Sequence, residues 1–143
     1  AEAVLLAARR DVSRAALFLI KDGALTGWKS AGMEHAARGI GGISISLGSP
    51  GIFKAVVEDK VFYKGPIPSA PQNDALLESF GGARPLDVLA CPLVIKDKVV
   101  AVLYGDNGGG STVGDVKRLK ALMTKASMAL EILILKTKIL SDD

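Results

Sequence analysis

The chain has 143 residues, 49% of them hydrophobic, and a net charge of only +3 from 18 basic and 15 acidic residues. This is one globular domain with a sizeable core, which excludes a disordered or fibrous chain. A single cysteine excludes an internal disulfide and suits a reducing cytoplasm, while scattered basic residues and 5% aromatics argue against nucleic acid as a partner. The apolar run at residues 130–135 is interrupted by Glu131 and is too short to span a bilayer, so no membrane is expected either.

Residues 2–14 are rich in Ala and Leu, with charges at Arg9, Arg10 and Asp11, the pattern of the end of an amphipathic helix. Residues 15–20 (AALFLI) read as a strand, Lys21-Asp22-Gly23-Ala24 as a hairpin turn, and residues 25–33 as the returning strand carrying Trp28. Residues 34–42 read as a glycine-rich loop, and residues 43–47 alternate Ile-Ser-Ile-Ser-Leu as a half-buried strand does. Ser49 as N-cap and Pro50 in the first turn predict a helix over 49–60, with Ile52, Phe53, Val56 and Val57 on one buried face. A short strand over 61–63 follows. Residues 65–85 then hold four of the six prolines, a loop long enough to carry function.

The stretch DVLACPLVIKDKVVAVLYG, residues 87–105, consists of two Val/Ile/Leu-rich runs joined by Lys96-Asp97-Lys98. Neither run (88–95, 99–104) alternates apolar with polar. They are therefore expected to form an antiparallel hairpin at the centre of the sheet, covered on both faces. Pro92 cannot donate a ladder hydrogen bond and predicts a bulge or pairing break at its position. After a glycine-rich turn, Thr112 and Asp115 suggest a capping box for a long helix over 112–140. Val116, Leu119, Met123, Ala126, Leu130, Leu133, Thr137 and Leu140 recur at spacings of three and four, a coiled-coil seam. Met128, Ile132, Leu135 and Ile139 form a second row on another face. One row can cover the sheet and the other needs a partner, so a homodimer is expected, with Leu130, Ile132, Leu133, Leu135 and Ile139 as its contact residues. A long core helix with an apolar end explains the same pattern without a partner.

The element order is that of an α+β domain, one antiparallel sheet with its terminal helices packed on a face, and it lacks the repeated βαβ units of a dinucleotide fold. That order and four segments resemble the GAF family of small sensory domains. The segments are residues 15–33 (AALFLIKDGALTGWKSAGM), residues 49–60 with Val61-Phe62-Tyr63, residues 89–105 (LACPLVIKDKVVAVLYG) and the long terminal helix. The resemblance implies a profilin-like antiparallel sheet, with N- and C-terminal helices on one face and a helix and loop layer on the other. It also implies a single domain over residues 1–143 taken from a longer bacterial signalling protein. The expected function is non-catalytic, either sensing an unidentified small molecule and signalling through the terminal helices of a dimer, or serving as a ligand-free dimerisation or docking module. In such domains the pocket lies between the sheet face away from the terminal helices and the intervening helix and loop. By the resemblance, Trp28, Phe53, Tyr63 and Arg84 would line it, although Trp28 and Phe53 are equally explained as ordinary core.

The family's specialised chemistries do not carry over. The Asn-Lys pair of the cyclic-nucleotide-binding signature is absent from the chain, and methionine-sulfoxide-reducing members use several cysteines where this chain has one. Cys91, the single candidate for pigment attachment, falls in the central strand and reads as a buried structural thiol. No cofactor is expected. His35 beside Glu34 is too thin a cluster for a metal. Residues 105–112 (GDNGGGST) have the glycines of a phosphate loop, but Ser111 stands where its lysine would be. The sequence assembles no catalytic constellation.

Overall fold

The computed structural model of the protein describes residues 5, 9, 12–31, 44–48, 51–68, 70, 73–74, 76–77, 85, 87–95, 97–107 and 116–141, the last with the side chains of 117, 118, 120–122, 124, 125, 127–129, 131–133, 135 and 136. In chain order the elements are β1 (Arg14–Lys21), β2 (Ala24–Ala31), β3 (Ser44–Ser46), α1 (Ile52–Asp59), β4 (Tyr63–Gly65), β5 (Val88–Ile95), β6 (Lys98–Asp106) and α2 (Val116–Ser141). Two tight turns set the frame. Asp22 and Gly23, both at positive φ (52° and 75°), close the β1–β2 hairpin in the manner of a type I′ turn, whose twist matches that of the strands. Ile95 pairs with Lys98 across the second hairpin, so Lys98 belongs to β6, and Asp97 sits in the turn at a positive φ (65°).

The strands make one six-stranded antiparallel sheet in the order β3-β2-β1-β6-β5-β4. Its centre is the β1–β6 pair, aligned from Arg14↔Asp106 to Leu19↔Ala101. The expected central hairpin is therefore half central. Strand β4 is three residues long and reaches only Val88, Leu89 and Ala90, leaving residues 91–95 with β6 on one side and no described strand on the other. Pro92 sits in that stretch, opposite Val102, and the register slips one step later, between Leu93 and Val94. A strand paired on one side can keep a missing N–H outside the ladder, so the proline itself does not break the pairing.

Both faces of the sheet are covered, which explains why its core strands do not alternate. Ala16 and Phe18 of β1, Val88 and Ala90 of β5, and Val102 and Tyr104 of β6 pack toward α1 with Ile67, Leu76 and Leu77. Ala15, Leu17, Leu89, Cys91, Leu93, Ala101 and Leu103 face the other way, against Leu5, Val12 and Leu122 of α2.

Helix α1 buries Ile52, Phe53 and Val56, as its spacing predicts. Its start differs from the sequence expectation: the N-cap is Gly51, in extended conformation and without a side-chain cap bond, and Ser49 and Pro50 lie outside the described residues. The cap comes from a distance. The buried Asn73 accepts a hydrogen bond from the Ile52 N–H (3.1 Å) and donates one to the Pro68 carbonyl (2.9 Å). A side chain 21 residues downstream thus satisfies a free helix N–H and ties the proline-rich segment to the helix. The strand expected over 61–63 begins two residues later, because Phe62 packs on the α2 face and Tyr63 is the residue opposite Ala90.

Gly105 illustrates how closely these layers meet: a Cβ there would lie 2.9 Å from a methyl of Val12. Gly105→Ala should destabilise the fold by about 1–3 kcal/mol, the usual penalty of overpacking. Chemical denaturation of the single variant and of Gly105→Ala with Val12→Ala checks this, since the second change should restore much of the loss.

Candidate functional site

On the α1 face, Phe53 is fully buried and forms a tilted aromatic line with Phe18 (ring centroids 6.0 Å apart) and Tyr104 (6.1 Å). Tyr63 packs at the margin of this cluster, and its hydroxyl donates to the Pro66 carbonyl. Two of the four residues expected to line a ligand site are therefore brought together. Trp28 is not with them: it packs on the α2 face of the sheet, alongside Leu19 and Leu122. Arg84 lies outside the described residues.

Sequence reading missed the most polar feature of the core. Asp106, a carboxyl side chain set in an apolar sheet, has no exposed surface. Arg14 donates to both carboxylate oxygens, Nε to Oδ1 at 2.6 Å and a terminal guanidinium nitrogen to Oδ2 at 2.9 Å. The Tyr104 hydroxyl donates to Oδ2 as well, while the Ser13 N–H donates to the Asp106 carbonyl at 3.0 Å. A bidentate guanidinium and a hydroxyl are what a buried carboxylate requires. Burial, followed by the Asp106 charge and hydrogen bond, pushes the Tyr104 phenol far above its ordinary value despite the opposing Arg14 charge. No sequence motif announces this triad, whose two charged members are 92 residues apart. Among the described residues every buried side-chain nitrogen or oxygen has a hydrogen-bond partner.

On the α2 face, described residues line two clefts. A smaller one of about 360 Å³ runs along the open stretch of β5, between Cys91, Pro92, Phe62, Lys60 and Lys120, with the Lys120 ammonium 5.0 Å from the Phe62 ring centroid. Burial pushes the Cys91 thiol up to about 12, against a lowering by the Lys120 charge, so the thiol is held protonated and unreactive. A larger cleft of about 600 Å³ lies at the hairpin ends, walled by Leu19, Trp28, Val100 and Leu133, with Lys21 and Lys98 also lining it.

Of the residues expected at a dimer contact, Leu133 lines that cleft while still 37% exposed, and Ile132 and Leu135 are exposed. The side chains of Leu130 and Ile139 lie outside the description. Among the described residues no group of three or more His, Cys, Asp or Glu could hold a metal ion, and no helix is long and apolar enough to cross a membrane.

The six-stranded antiparallel sheet, layered by α1 on one face and α2 on the other, defines an α+β domain of GAF-like architecture. It superposes on the GAF domain/HD domain protein from Geobacter sulfurreducens with a TM-score of 0.72 at 14% identity, covering 99% of this chain and 93% of that one. The second GAF domain of DevS from Mycobacterium smegmatis matches with a TM-score of 0.69 at 17% identity, over 96% and 94% of the two chains. NreA from Staphylococcus aureus, mutated in its nitrate-binding site, matches with a TM-score of 0.60 at 16% identity, over 80% and 87%. No protein-family model and no curated protein matches the sequence. The fold is that of a GAF domain, as the resemblance implied.

Two outcomes follow from the buried groups. Asp106→Asn strands the largely buried Arg14 charge and should cost about 3–5 kcal/mol, whereas Tyr104→Phe removes one donor and should cost about 1–2 kcal/mol; urea denaturation gives the order. The Cys91 pKa is raised on folding, so its contribution is intact below the unfolded value near 9.0 and is lost as pH rises through about 12. At pH 8 alkylation of Cys91 should be roughly a thousandfold slower than that of a free thiol, and urea should abolish the difference; fast labelling of folded protein would contradict the burial.

Proposed function

We propose that this protein is a non-catalytic sensory or regulatory domain of a bacterial signalling protein, which binds a small molecule on its α1 face and signals through its terminal helices in a dimer. The observation that carries this reading is the apolar stripe on α2. Met128, Ile132 and Leu135 are 72%, 58% and 46% exposed, at spacings of four and three that align them along one side of the helix. A second copy of the same helix covers such a stripe without any new chemistry. Likeness of fold to a DevS GAF domain and to NreA, whose structure is described by its nitrate-binding site, supports a sensory role. The ligand site of this reading comprises Phe53, Tyr63 and Arg84. Binding there would alter the packing of the sheet on α2 and so bias the helix pair between two arrangements. The domain acts in the cytoplasm.

A second reading is favoured by one observation: Phe18, Phe53 and Tyr104 already fill the space under α1 with no exposed surface. On that reading the domain takes no ligand and serves as a dimerisation or docking module.

Native mass spectrometry of freshly purified protein separates these. A dimer with a small-molecule adduct supports the sensor, and a clean dimer supports the docking module. Ile132→Glu and Leu135→Glu should each convert dimer to monomer with the melting temperature of the isolated domain little changed; an unchanged dimer mass would sink the role given to α2. Arg84→Ala should reduce the rise in melting temperature produced by the adduct molecule while leaving the dimer intact.

A further inference from the structure

The larger α2-face cleft is built by irregularities of the sheet. In the β1–β2 ladder Leu17 faces Lys29 and Phe18 faces Gly27, so Trp28 is left without a partner. In the β5–β6 ladder Leu93 faces Ala101 and Val94 faces Val99, so Val100 is left over. Both residues line the same cleft of about 600 Å³. A β-bulge re-aims a side chain at the expense of ladder bonds, and such features gather beside functional sites. Two bulges from different hairpins serving one cavity make it a built feature of the sheet.

Its lining is mostly apolar, with two lysines and one aspartate as the charged residues. The walls are apolar: Leu19, Trp28 and Val100 are partly buried and Leu133 is exposed. The polar lining residues are Lys21, Asp22 and Lys98, and neither lysine carries an ion pair to a described residue. A volume of this size lies within the range of small-molecule sites, which are apolar with a few directing polar groups.

We propose that this cleft is a second binding site, for a free organic acid with an apolar body, a medium-chain acyl or aryl carboxylate. The apolar part lies on Trp28, Val100 and Leu133, and the carboxylate lies at the rim between Lys21 and Lys98. Because Leu133 belongs to α2, an occupant here touches sheet and helix together and sets how the second half of α2 lies against the sheet. The site is on the opposite face from the one proposed above, and stands or falls independently of it.

Trp28 is the chain's only tryptophan, so its emission reports on the cleft directly. Sodium decanoate, kept below its micellar concentration, is titrated into the whole protein and followed by Trp28 fluorescence and by calorimetry. Decanoate should give a saturable shift in emission, with hexanoate weaker, and decyltrimethylammonium, with the same chain and opposite charge, should give none. Lys21 and Lys98 are exposed, so Lys21→Glu/Lys98→Glu should fold normally and bind decanoate roughly tenfold more weakly or worse; Lys21→Gln/Lys98→Gln serves where the reversal lowers the melting temperature. The dimer mass and any α1-face adduct should not change in either variant. Absence of heat and emission change with decanoate would overturn the proposal. So would an equal response to decyltrimethylammonium, or an emission shift that follows protein concentration alone, which would mark the cleft as a contact between protein copies.

Discussion

A carboxylate with no exposed surface, at the last position of β6, is the constraint around which the sheet is arranged. An ionised group in an apolar interior is tolerable only when its partners are buried with it. For Asp106 they arrive from two strands, a bidentate Arg14 from β1 and the Tyr104 hydroxyl from β6 itself. Arg14↔Asp106 is also the end rung of the central β1–β6 ladder. A slip of one residue would part the charges and turn every side chain of β6 to the opposite face. The ion pair therefore specifies register, and register decides which residues meet α1 and which meet α2.

The two layers that result are unlike one another. On the α1 side Phe53 is wedged between Phe18 and Tyr104, and Asn73 fastens the proline-rich segment to the start of the helix. The α2 side is tight near Val12 and Gly105 and opens into clefts farther from that end. Tyr104 is the side chain that touches both Phe53 of α1 and the carboxylate at the end of β6, beyond which the chain runs on to α2. A sensory role needs some such connection between the face that receives a signal and the helix that transmits it.

Much of this architecture was legible in local chemistry. Asp22-Gly23 and the charged turn before Lys98 mark their hairpins because few residues adopt positive φ without strain. The spacing of Ile52, Phe53 and Val56 marks the buried face of α1, and the seam of α2 marks a long helix, because the helical period lies in the sequence itself. The likeness of these elements in order to a GAF domain holds in the structure.

What local chemistry could not decide was everything that depends on two distant segments meeting. Alternation along β2 puts Leu25 and Trp28 on opposite faces, but nothing within the strand says which face α2 will cover, and so Trp28 was grouped with Phe53 when it belongs with Leu19 and Leu133. The Asn73 cap and the Arg14–Asp106 pair join positions 21 and 92 residues apart, beyond the reach of any window read along the chain. Asp106 follows a glycine and precedes Asn107 and three more glycines, local chemistry that belongs to a turn and not to a buried ion pair. The amino-acid sequence determined the turns, the helical faces and the apolar content that makes a two-layered sheet. Only the tertiary structure decided strand order, the end of β4 partway along β5, and the face on which each side chain is buried, because these follow from which surfaces exclude water against one another.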